Sequence, residues 1–411
     1  MEVALKIPEK YYPAVKKILN NLLPDLKIFR LKEVNTPDLI LVSEINAQDG
    51  IKVKSYIQET DYTDEIMDKE ISDVKYQESD FKRRCKARIK LSIYRLLCDY
   101  LNKKPSPWGI LIGVRPSKLG HYWLDKNLNY QQIDQLLDEV YGVVAEKRKL
   151  LLEVIKRERG YLPNKSQAEK QVSVYLGIPF CPTKCSYCSF ASYPFSKYQR
   201  YLDDFLEVLD YEIKRIGEFV KESGLQVDTI YIGGGTPTVL SSGILNQLLN
   251  KLKKYFITPD LREFNVEAGR PDTITRDKLK VLKANGVTRI SINPQTMNQN
   301  TLNRIGRQHT IEQVIESYNQ ARELDFKNIN MDLIMGLPGE GIKDVQYTLE
   351  QIEILKPDSL TVHTLAIKRA AEWKESLSDI NFATIREVRN MLKLTKQVAN
   401  RLGLSPYYMY R

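Results

Sequence analysis

Short apolar runs separated by polar connectors dominate the first 80 residues, and they predict strands. Helical spacing follows from about Asp80 to Leu101 and again from about Tyr130 to Arg159, with apolar residues every three or four positions. Prolines and glycines interrupt this pattern after Leu101, and further breakers end it near residue 165. These features predict an N-terminal α+β domain over residues 1–165. Its predicted strands are Ala4–Ile7, Leu39–Val42 and Ile51–Tyr56.

A different pattern begins at about residue 166, where strand-like runs alternate with helical ones. The alternation requires parallel strands with right-handed crossovers, so the predicted fold class is α/β. An open doubly wound sheet and part of a barrel both fit it. Candidate functional residues lie at or just past the ends of almost all the predicted strands, and they do not gather at one crevice. This distribution favours a partial (β/α)6 TIM-like barrel over residues 166–370. The predicted strands are Val172–Ile178, Val227–Ile232, Glu263–Glu267, Arg289–Ile292, Asn328–Met335 and Ser359–Leu365.

Composition narrows the class of protein. The chain has 411 residues, of which 42% are hydrophobic and 28% charged, values typical of globular proteins and not of disordered or fibrous ones. No stretch approaches the ~20 continuous apolar residues of a transmembrane helix. The first residues, Met1–Pro13, lack the basic and then apolar layout of a signal peptide. We therefore expect a soluble cytoplasmic protein without a membrane span.

The net charge of +10 raises the question of a nucleic-acid partner. The densest basic run is Lys82–Lys90, within the first helical region. Apolar residues continue the same spacing at Ile89, Ile93 and Leu97, so the run is better interpreted as a helix with a solvated basic face. We expect no nucleic-acid partner, and attraction of an acidic small molecule explains the charge no less well.

Three of the five cysteines lie within eight residues, at Cys181, Cys185 and Cys188. A secreted disulfide framework spreads an even number of cysteines along a short chain, so this group is more typical of metal ligation. Structural zinc takes four ligands and no fourth is evident nearby, which makes zinc the weaker alternative. We favour a [4Fe–4S] cluster on three thiolates, which keeps one iron open for a chelating ligand. Cys85 and Cys98 lie on a predicted helix and are expected to be inert thiols.

Several motifs resemble those of a known family. The spacing Cys-x-x-x-Cys-x-x-Cys after a first β-run, with Tyr187 beside the last cysteine, resembles the signature of radical S-adenosylmethionine (SAM) enzymes. The stretch Thr229–Thr238 (TIYIGGGTPT) resembles the oxygen-independent coproporphyrinogen III oxidase superfamily. Trp108–Lys118, Glu267–Thr273 and Ile290–Met297 resemble the HemZ-type coproporphyrinogen dehydrogenases, which carry an extra N-terminal domain. The resemblance covers most of the chain.

The resemblance implies two cofactors: a [4Fe–4S] cluster on the three clustered cysteines, and SAM chelated to its open iron. Glycines directly after a strand let the backbone approach the methionine end of SAM, and a planar guanidinium suits its carboxylate. Tyr175 is implied to lie over the site in a catalytic role, with a core aromatic as the competing interpretation. The residues implied to bind SAM are Tyr175, Gly234, Gly235, Thr236, Glu267, Gln295, Arg307 and Asp332, with the turn Gly336–Glu340 near the adenine.

The implied reaction is oxidative decarboxylation of two propionate side chains of coproporphyrinogen III to vinyl groups, giving protoporphyrinogen IX in haem biosynthesis. The implied partners are this tetrapyrrole and a reduced flavodoxin- or ferredoxin-like electron donor. Two departures weaken the substrate assignment, because Phe190 stands where the decarboxylating branch has a fourth cysteine and Gly177 where it has a histidine. A haem-binding chaperone without oxidase activity is therefore the alternative. The N-terminal domain with its Gly113–Pro116 motif argues against that alternative.

The last residues of the chain are expected to begin a further region. The chain stops at Arg411, whereas the family continues into a C-terminal domain. Helical spacing over Arg386–Leu402 predicts one helix there. We expect residues 371–411 to be the start of a truncated C-terminal helical region.

Overall fold

The computed structural model describes residues 1–47, 50–67, 78–113, 115–368, 370–375 and 381–409. Val114, inside the Trp108–Lys118 motif, lies outside the described residues, as do 376–380 and 410–411 in the expected C-terminal region. The chain forms two compact units, Met1–Leu162 with the stretch from Pro406, and Pro163–Ser405. All of the expected cofactor-binding residues lie in the second unit.

The N-terminal unit combines a mixed sheet with helices, which confirms the predicted α+β class. Its strand order is β2-β1-β3-β4-β5, with β1 parallel to β2 and β3 and with antiparallel pairing from β3 to β5. Burial alternates along β4, so one face of the sheet packs into the core. The strands are β1 (Glu2–Lys6), β2 (Lys27–Arg30), β3 (Leu39–Asn46), β4 (Lys52–Ile57) and β5 (Thr63–Met67); the helices are α1 (Tyr12–Leu22), α2 (Glu78–Tyr100), α3 (Ser117–Leu124), α4 (Tyr130–Glu139) and α5 (Ala145–Arg159).

The prediction that the basic face of α2 is solvated is wrong for two of its arginines. Arg84 and Arg88 are only 6% and 2% exposed. The helix packs on strands β3–β5, and it also has neighbours among the later helices: Arg88 Nη1 donates to the carbonyl of Glu139, and the Arg83 guanidinium lies 4.4 Å from the ring centroid of Tyr122. Burial of Arg84 and Arg88 thus interrupts the exposed basic run on α2.

The helical pattern predicted from Tyr130 to Arg159 forms two helices instead of one. Between α4 and α5 the chain turns, and the carbonyl of Tyr141 accepts a hydrogen bond from the Ile110 amide at 2.9 Å. This tertiary bond replaces the helical bonds that the periodic pattern alone predicts. A further short helix, α3, follows the proline-rich stretch and was not predicted.

The second unit is built on a six-stranded parallel sheet of order β6-β9-β10-β11-β12-β13. The order follows the chain, as in a barrel, whereas a doubly wound sheet reverses direction. The predicted partial barrel is thereby confirmed. Its elements are α6 (Lys165–Ala168), β6 (Gln171–Ile178), β7 (Phe180–Cys181), β8 (Tyr193–Pro194), α7 (Phe195–Tyr198), α8 (Leu202–Glu222), β9 (Gln226–Gly234), α9 (Ser242–Phe256), β10 (Glu263–Glu267), α10 (Arg276–Ala284), β11 (Arg289–Ser291), α11 (Gln299–Arg304), α12 (Ile311–Glu323), β12 (Ile329–Met335), α13 (Ile342–Leu355), β13 (Ser359–Thr364) and α14 (Ile385–Arg401).

Helix α14 packs on the barrel. Its Met391 and Val398 are 0% and 1% exposed and join the core of the second unit. Thr395 Oγ1 donates to Met335 Sδ, at the end of β12, at 3.6 Å. Across the described ranges, none of the helices has both the length and the apolar character needed to cross a membrane.

Candidate active site

Polar and aromatic side chains line the barrel at the C-terminal ends of its strands. Tyr175 on β6 and Tyr231 on β9 are paired in register, and their rings stack with centroids 5.9 Å apart. The Tyr231 hydroxyl donates a hydrogen bond to Glu267 Oε1 at the end of β10. Asp332 on β12 adds a second carboxylate to this group. Tyr175 is 66% exposed, so the exposed side of the group is aromatic and the buried side is acidic.

The protonation of Glu267 is tuned by this environment. Burial raises its pKa from 4.5 to about 7; the hydrogen bond from Tyr231 opposes the rise and the negative charge of Asp332 adds to it. Burial also raises the pKa of Tyr175, with a further contribution from the charge of Glu267. Near neutral pH, Glu267 can therefore either accept or donate a proton, whereas the tyrosine keeps its hydroxyl hydrogen.

The three cysteines lie on the loop that follows β6. Cys181 ends β7, and Cys185 and Cys188 follow in the turn, where the Cys188 amide donates to the Cys185 carbonyl at 2.9 Å. All three are free thiols, with Cys181 and Cys185 buried. The Thr236 hydroxyl donates to Cys181 Sγ at 3.3 Å, and Ser192 Oγ lies 3.8 Å from Cys188 Sγ.

Cys185 has a more strongly charged environment than the other two thiols. Its sulfur lies 4.0 Å from Arg307 Nη1 and 3.8 Å from Arg270 Nη1. Arg307 is 4% exposed, and its Nη2 donates to the carbonyls of Gly269 and Asn293 at 2.8 and 2.6 Å. Two guanidinium groups therefore donate towards this one sulfur.

The glycine run at the end of β9 lets backbone segments approach closely. A Cβ on Gly235 would lie 2.6 Å from the Phe180 carbonyl oxygen and 2.9 Å from Cys181 Sγ. Gly234 has a φ of +105°, which side chains other than glycine rarely adopt. Any larger residue here would displace the strand that carries Cys181.

Gln295 has an unusual backbone conformation for a residue with a side chain. Its φ is +67°, and two backbone bonds to β12 hold it there: its amide donates to the Asp332 carbonyl, and its carbonyl accepts from the Ile334 amide, both at 2.9 Å. The side chain is 8% exposed, yet Oε1 has no hydrogen-bond partner. Strained backbone and an unsatisfied buried acceptor commonly mark a ligand-binding position.

Asp332 and the Gly336–Glu340 turn are held by neighbouring side chains. Asp332 Oδ1 accepts from Asn330 Nδ2 at 2.7 Å, and its Oδ2 lies 4.0 Å from His363 Nε2. Glu340, at the end of the turn, is 6% exposed and accepts from the Thr296 hydroxyl at 2.5 Å. Glu340 therefore supports the turn from inside the protein.

The chemistry of this group fits a cofactor that takes thiolates. Within the part of the chain that the structure describes, no three His, Cys, Asp or Glu side chains are already gathered in the arrangement of a metal site. The thiols are nevertheless close enough for the charges of Cys185 and Cys188 to help raise the pKa of Cys181, after burial as the main cause. One loop thus carries three thiols with hydroxyl and guanidinium donors around them. That donor set suits an anionic iron–sulfur cluster better than a bare cation.

Sequence reasoning missed two residues of this group. Tyr231 lies two residues before Gly233 on β9, so the period of two along a strand could have identified it as facing the same side. Arg270 lies in the quoted Glu267–Thr273 motif, but nothing in the local sequence indicates that it reaches Cys185, which is 85 residues earlier. Phe190 is 69% exposed, with Lys368 Nζ 6.0 Å from its ring centroid.

Comparison with known proteins connects this site to a family. The Radical SAM superfamily matches residues 175–352. The oxygen-independent coproporphyrinogen-III oxidase-like protein HemZ of Bacillus subtilis is 44% identical over 307 residues, which cover 74% of this chain and 61% of HemZ. The haem chaperone HemW of the same organism is 38% identical over 197 residues, which cover 48% of this chain and 51% of HemW. The chain thus spans about three fifths of the length of HemZ and about half that of HemW.

A solved structure supports the same relationship. The coproporphyrinogen III oxidase HemN from Escherichia coli, a radical SAM enzyme, superposes with a TM-score of 0.51 at 26% sequence identity. The superposition covers 59% of this chain and 57% of HemN. Residues 175–352 therefore form a Radical SAM domain, and the chain is similar to the HemZ, HemW and HemN proteins.

Proposed function

We propose that this chain binds a [4Fe–4S] cluster through Cys181, Cys185 and Cys188 and binds SAM beside it. The observation that carries the proposal is the cysteine loop, with three free thiols and two guanidinium groups within 4.0 Å of Cys185 Sγ. When bound, the cluster supplies one electron that cleaves SAM and generates a 5′-deoxyadenosyl radical. A reduced flavodoxin- or ferredoxin-like protein is the proposed source of that electron.

Residues around the loop have the chemistry to hold SAM. Gln295 Oε1 is a buried acceptor that receives no hydrogen bond, and the amino group of SAM could donate one to it. The carboxylates of Glu267 and Asp332 suit ribose hydroxyls, and the Arg307 guanidinium suits the SAM carboxylate. We assign Gly234, Gly235 and Thr236 to the backbone wall of the same site and Tyr175 to its exposed rim, where it faces substrate. These assignments complete the proposed set of cofactor-binding residues.

The substrate that we propose is coproporphyrinogen III, converted to protoporphyrinogen IX by oxidative decarboxylation of two propionates. The names of the HemZ and HemN relatives support this substrate class. The neutral form of Glu267, populated near pH 7, reduces the negative charge that an incoming propionate would meet. The exposed ring of Tyr175 provides an apolar surface for a pyrrole ring of the macrocycle.

Anaerobic reconstitution with iron and sulfide tests the proposal directly. The reconstituted chain should bind an oxygen-sensitive cluster and, with a strong reductant, convert SAM to 5′-deoxyadenosine. Incubation with coproporphyrinogen III and an added one-electron acceptor, followed by mass spectrometry, should then detect loss of two carbon dioxide molecules and four hydrogen atoms, because each vinyl group forms by loss of carbon dioxide and two hydrogens. Cleavage of SAM without any decarboxylated product would contradict the substrate assignment while leaving the cofactors in place.

Haem delivery without oxidase activity is the second candidate function. Two observations favour it: the similarity to HemW, and an exposed phenylalanine at position 190 in place of a fourth cysteine. Titration of the purified chain with haem, followed by absorption spectroscopy, separates the two candidates. Stoichiometric haem binding together with the absence of vinyl products would favour the chaperone.

A further inference from the structure

Arg270 is a buried arginine beside the cysteine loop to which the proposed function assigns no role. It lies three residues after β10 and is 3% exposed. Burying a guanidinium is costly unless its charge and its donors are matched. The contacts of Arg270 therefore explain how its buried charge is stabilised.

Every N–H group of Arg270 has an acceptor. Nε and Nη2 donate to the two carboxylate oxygens of Asp272 at 3.0 and 2.8 Å. Nη2 also donates to Thr183 Oγ1, and Nη1 to the Thr183 carbonyl, both at 3.1 Å. The remaining hydrogen on Nη1 faces Cys185 Sγ at 3.8 Å. Only arginine has five donors in one plane, so no other side chain can make this set of contacts.

These contacts tie the cysteine loop to the barrel. Thr183, which accepts twice from Arg270, donates its own hydroxyl hydrogen to the Gly306 carbonyl at 3.1 Å. The Ser186 amide donates to the Ile305 carbonyl at 3.1 Å. The loop is thus anchored at two places, and Arg270 is the side chain that links the first anchor to β10.

The same contacts distribute charge unevenly over the three thiols. Cys185 Sγ faces the guanidinium groups of Arg270 and Arg307. Within the described ranges, the side-chain hydrogen bonds of Cys181 and Cys188 are with the hydroxyls of Thr236 and Ser192, so neither thiol directly contacts a guanidinium group. A reduced cluster carries one more negative charge than an oxidised one, so positive charge beside one sulfur favours reduction. Asp272 opposes this effect because its carboxylate pairs with the Arg270 guanidinium.

We propose that Arg270 is a positioning residue that anchors the cysteine loop and raises the reduction potential of the cluster bound there, with Asp272 limiting the increase. This inference rests on the proposed function, because it requires the cluster. It concerns how readily the cluster accepts its electron, which the SAM and substrate assignments leave open.

The test is a redox titration of the reconstituted chain of residues 1–411 without SAM, monitored by electron paramagnetic resonance. At a fixed potential, Arg270→Gln should lower the ratio of reduced to oxidised cluster by about tenfold, equivalent to about 59 mV for one electron. Asp272→Asn should shift the ratio the opposite way, since it removes the opposing negative charge. Arg270→Lys should keep a potential near that of the wild type but bind less iron, because lysine keeps the charge and loses the planar donors.

Arg262 provides a matched control at the other end of β10. Its Nε and Nη2 donate to the two carboxylate oxygens of Asp228, both at 2.5 Å, so the pair has the same fork geometry far from the thiols. Arg262→Gln should leave the potential of the cluster unchanged.

The outcomes separate this inference from the proposed function. A wild-type chain that binds no cluster would overturn the proposed function, and this inference with it. A wild-type chain that binds a cluster whose potential is the same in Arg270→Gln and Asp272→Asn would overturn this inference alone. If Arg270→Gln fails to hold a cluster, the other two variants still test whether the charge of Arg270 affects the reduction potential. Asp272→Asn should raise that potential, and Arg270→Lys should leave it near the wild-type value.

Discussion

The hydroxyl of Tyr231 donates its hydrogen to Glu267 Oε1 at the mouth of the barrel. This bond favours the ionised form of Glu267, but burial is the larger influence and raises its pKa to about 7. The carboxyl group closest to the stacked tyrosines therefore changes charge near neutral pH. This change has measurable consequences for stability.

Replacing Glu267 by Gln should stabilise the protein at pH 8 more than at pH 4. The folded chain keeps the Glu267 proton up to about pH 7, whereas the unfolded chain releases it near the ordinary value of 4.5. Between these pH values the unfolded state binds fewer protons, so the wild type loses stability as pH rises. Glutamine cannot ionise and avoids this loss, which is on the order of 1–3 kcal/mol. Thermal unfolding of both proteins at the two pH values measures the difference.

Glu353 serves as the control for that experiment. It pairs with Arg401, which lowers its pKa. Its contribution is therefore present above its unfolded pKa and is lost in acid. Glu353→Gln should be destabilising at pH 8 relative to pH 4, the opposite of Glu267→Gln. The same sign in both variants would contradict the raised pKa of Glu267.

Replacing Gly235 by Ala should prevent cluster binding. The added Cβ would lie 2.6 Å from the Phe180 carbonyl oxygen and 2.9 Å from Cys181 Sγ, so the strand carrying Cys181 must move. Gly243→Ala is the matched control, since it lies in α9 with nothing within 4 Å of an added Cβ. That variant should gain up to about 1 kcal/mol of helix stability. Iron content after reconstitution and thermal unfolding distinguish the two variants, and normal iron content in Gly235→Ala would contradict the prediction.

The cysteines divide into three proposed cluster ligands and two core residues. Replacing Cys181, Cys185 or Cys188 by Ala should abolish the visible absorbance of a reconstituted iron–sulfur cluster. Cys85→Ala and Cys98→Ala should retain it, because those thiols are 3% and 1% exposed in the core of the N-terminal unit. They should instead cost stability of about 1 kcal/mol each. Equal loss of iron in the Cys85 or Cys98 variants would overturn the assignment of ligands.

Replacing Gln295 by Leu should separate stability from SAM binding. The unpartnered Oε1 costs free energy in the unliganded protein, so an apolar side chain of similar size should raise the melting temperature. The same change removes the acceptor proposed for the SAM amino group. SAM affinity should then fall roughly tenfold, corresponding to about 1.4 kcal/mol. Calorimetric titration with SAM measures the affinity, and unchanged binding together with unchanged iron content would exclude Gln295 from the SAM site.

Local pattern was sufficient for most of the barrel but not for contacts between distant residues. Strand Glu263–Glu267 was predicted with the bounds that the structure has, because alternation and flanking breakers specify it. The burial of Arg88 was not predictable from local pattern, since its guanidinium donates to Glu139, 51 residues later in the chain. The left-handed backbone of Gln295 likewise depends on its bonds to β12, which no neighbouring residue encodes. Motifs thus predicted the candidate site, and tertiary contacts determined the electrostatics of the residues there.

Because the barrel strands are arranged in chain order, the parts of the site are also synthesised in that order. The cysteine loop follows the first strand, whereas one of its anchors, Gly306, lies 123 residues after Thr183. At about 5–20 residues per second, a ribosome needs roughly 6–25 s to synthesise that interval. The thiols therefore emerge long before Arg270 and Gly306 can hold their loop. Cluster insertion into the finished geometry has to wait for the third and fourth βα repeats, which carry Arg270 and Gly306. During that wait the nascent chain depends on a reducing environment.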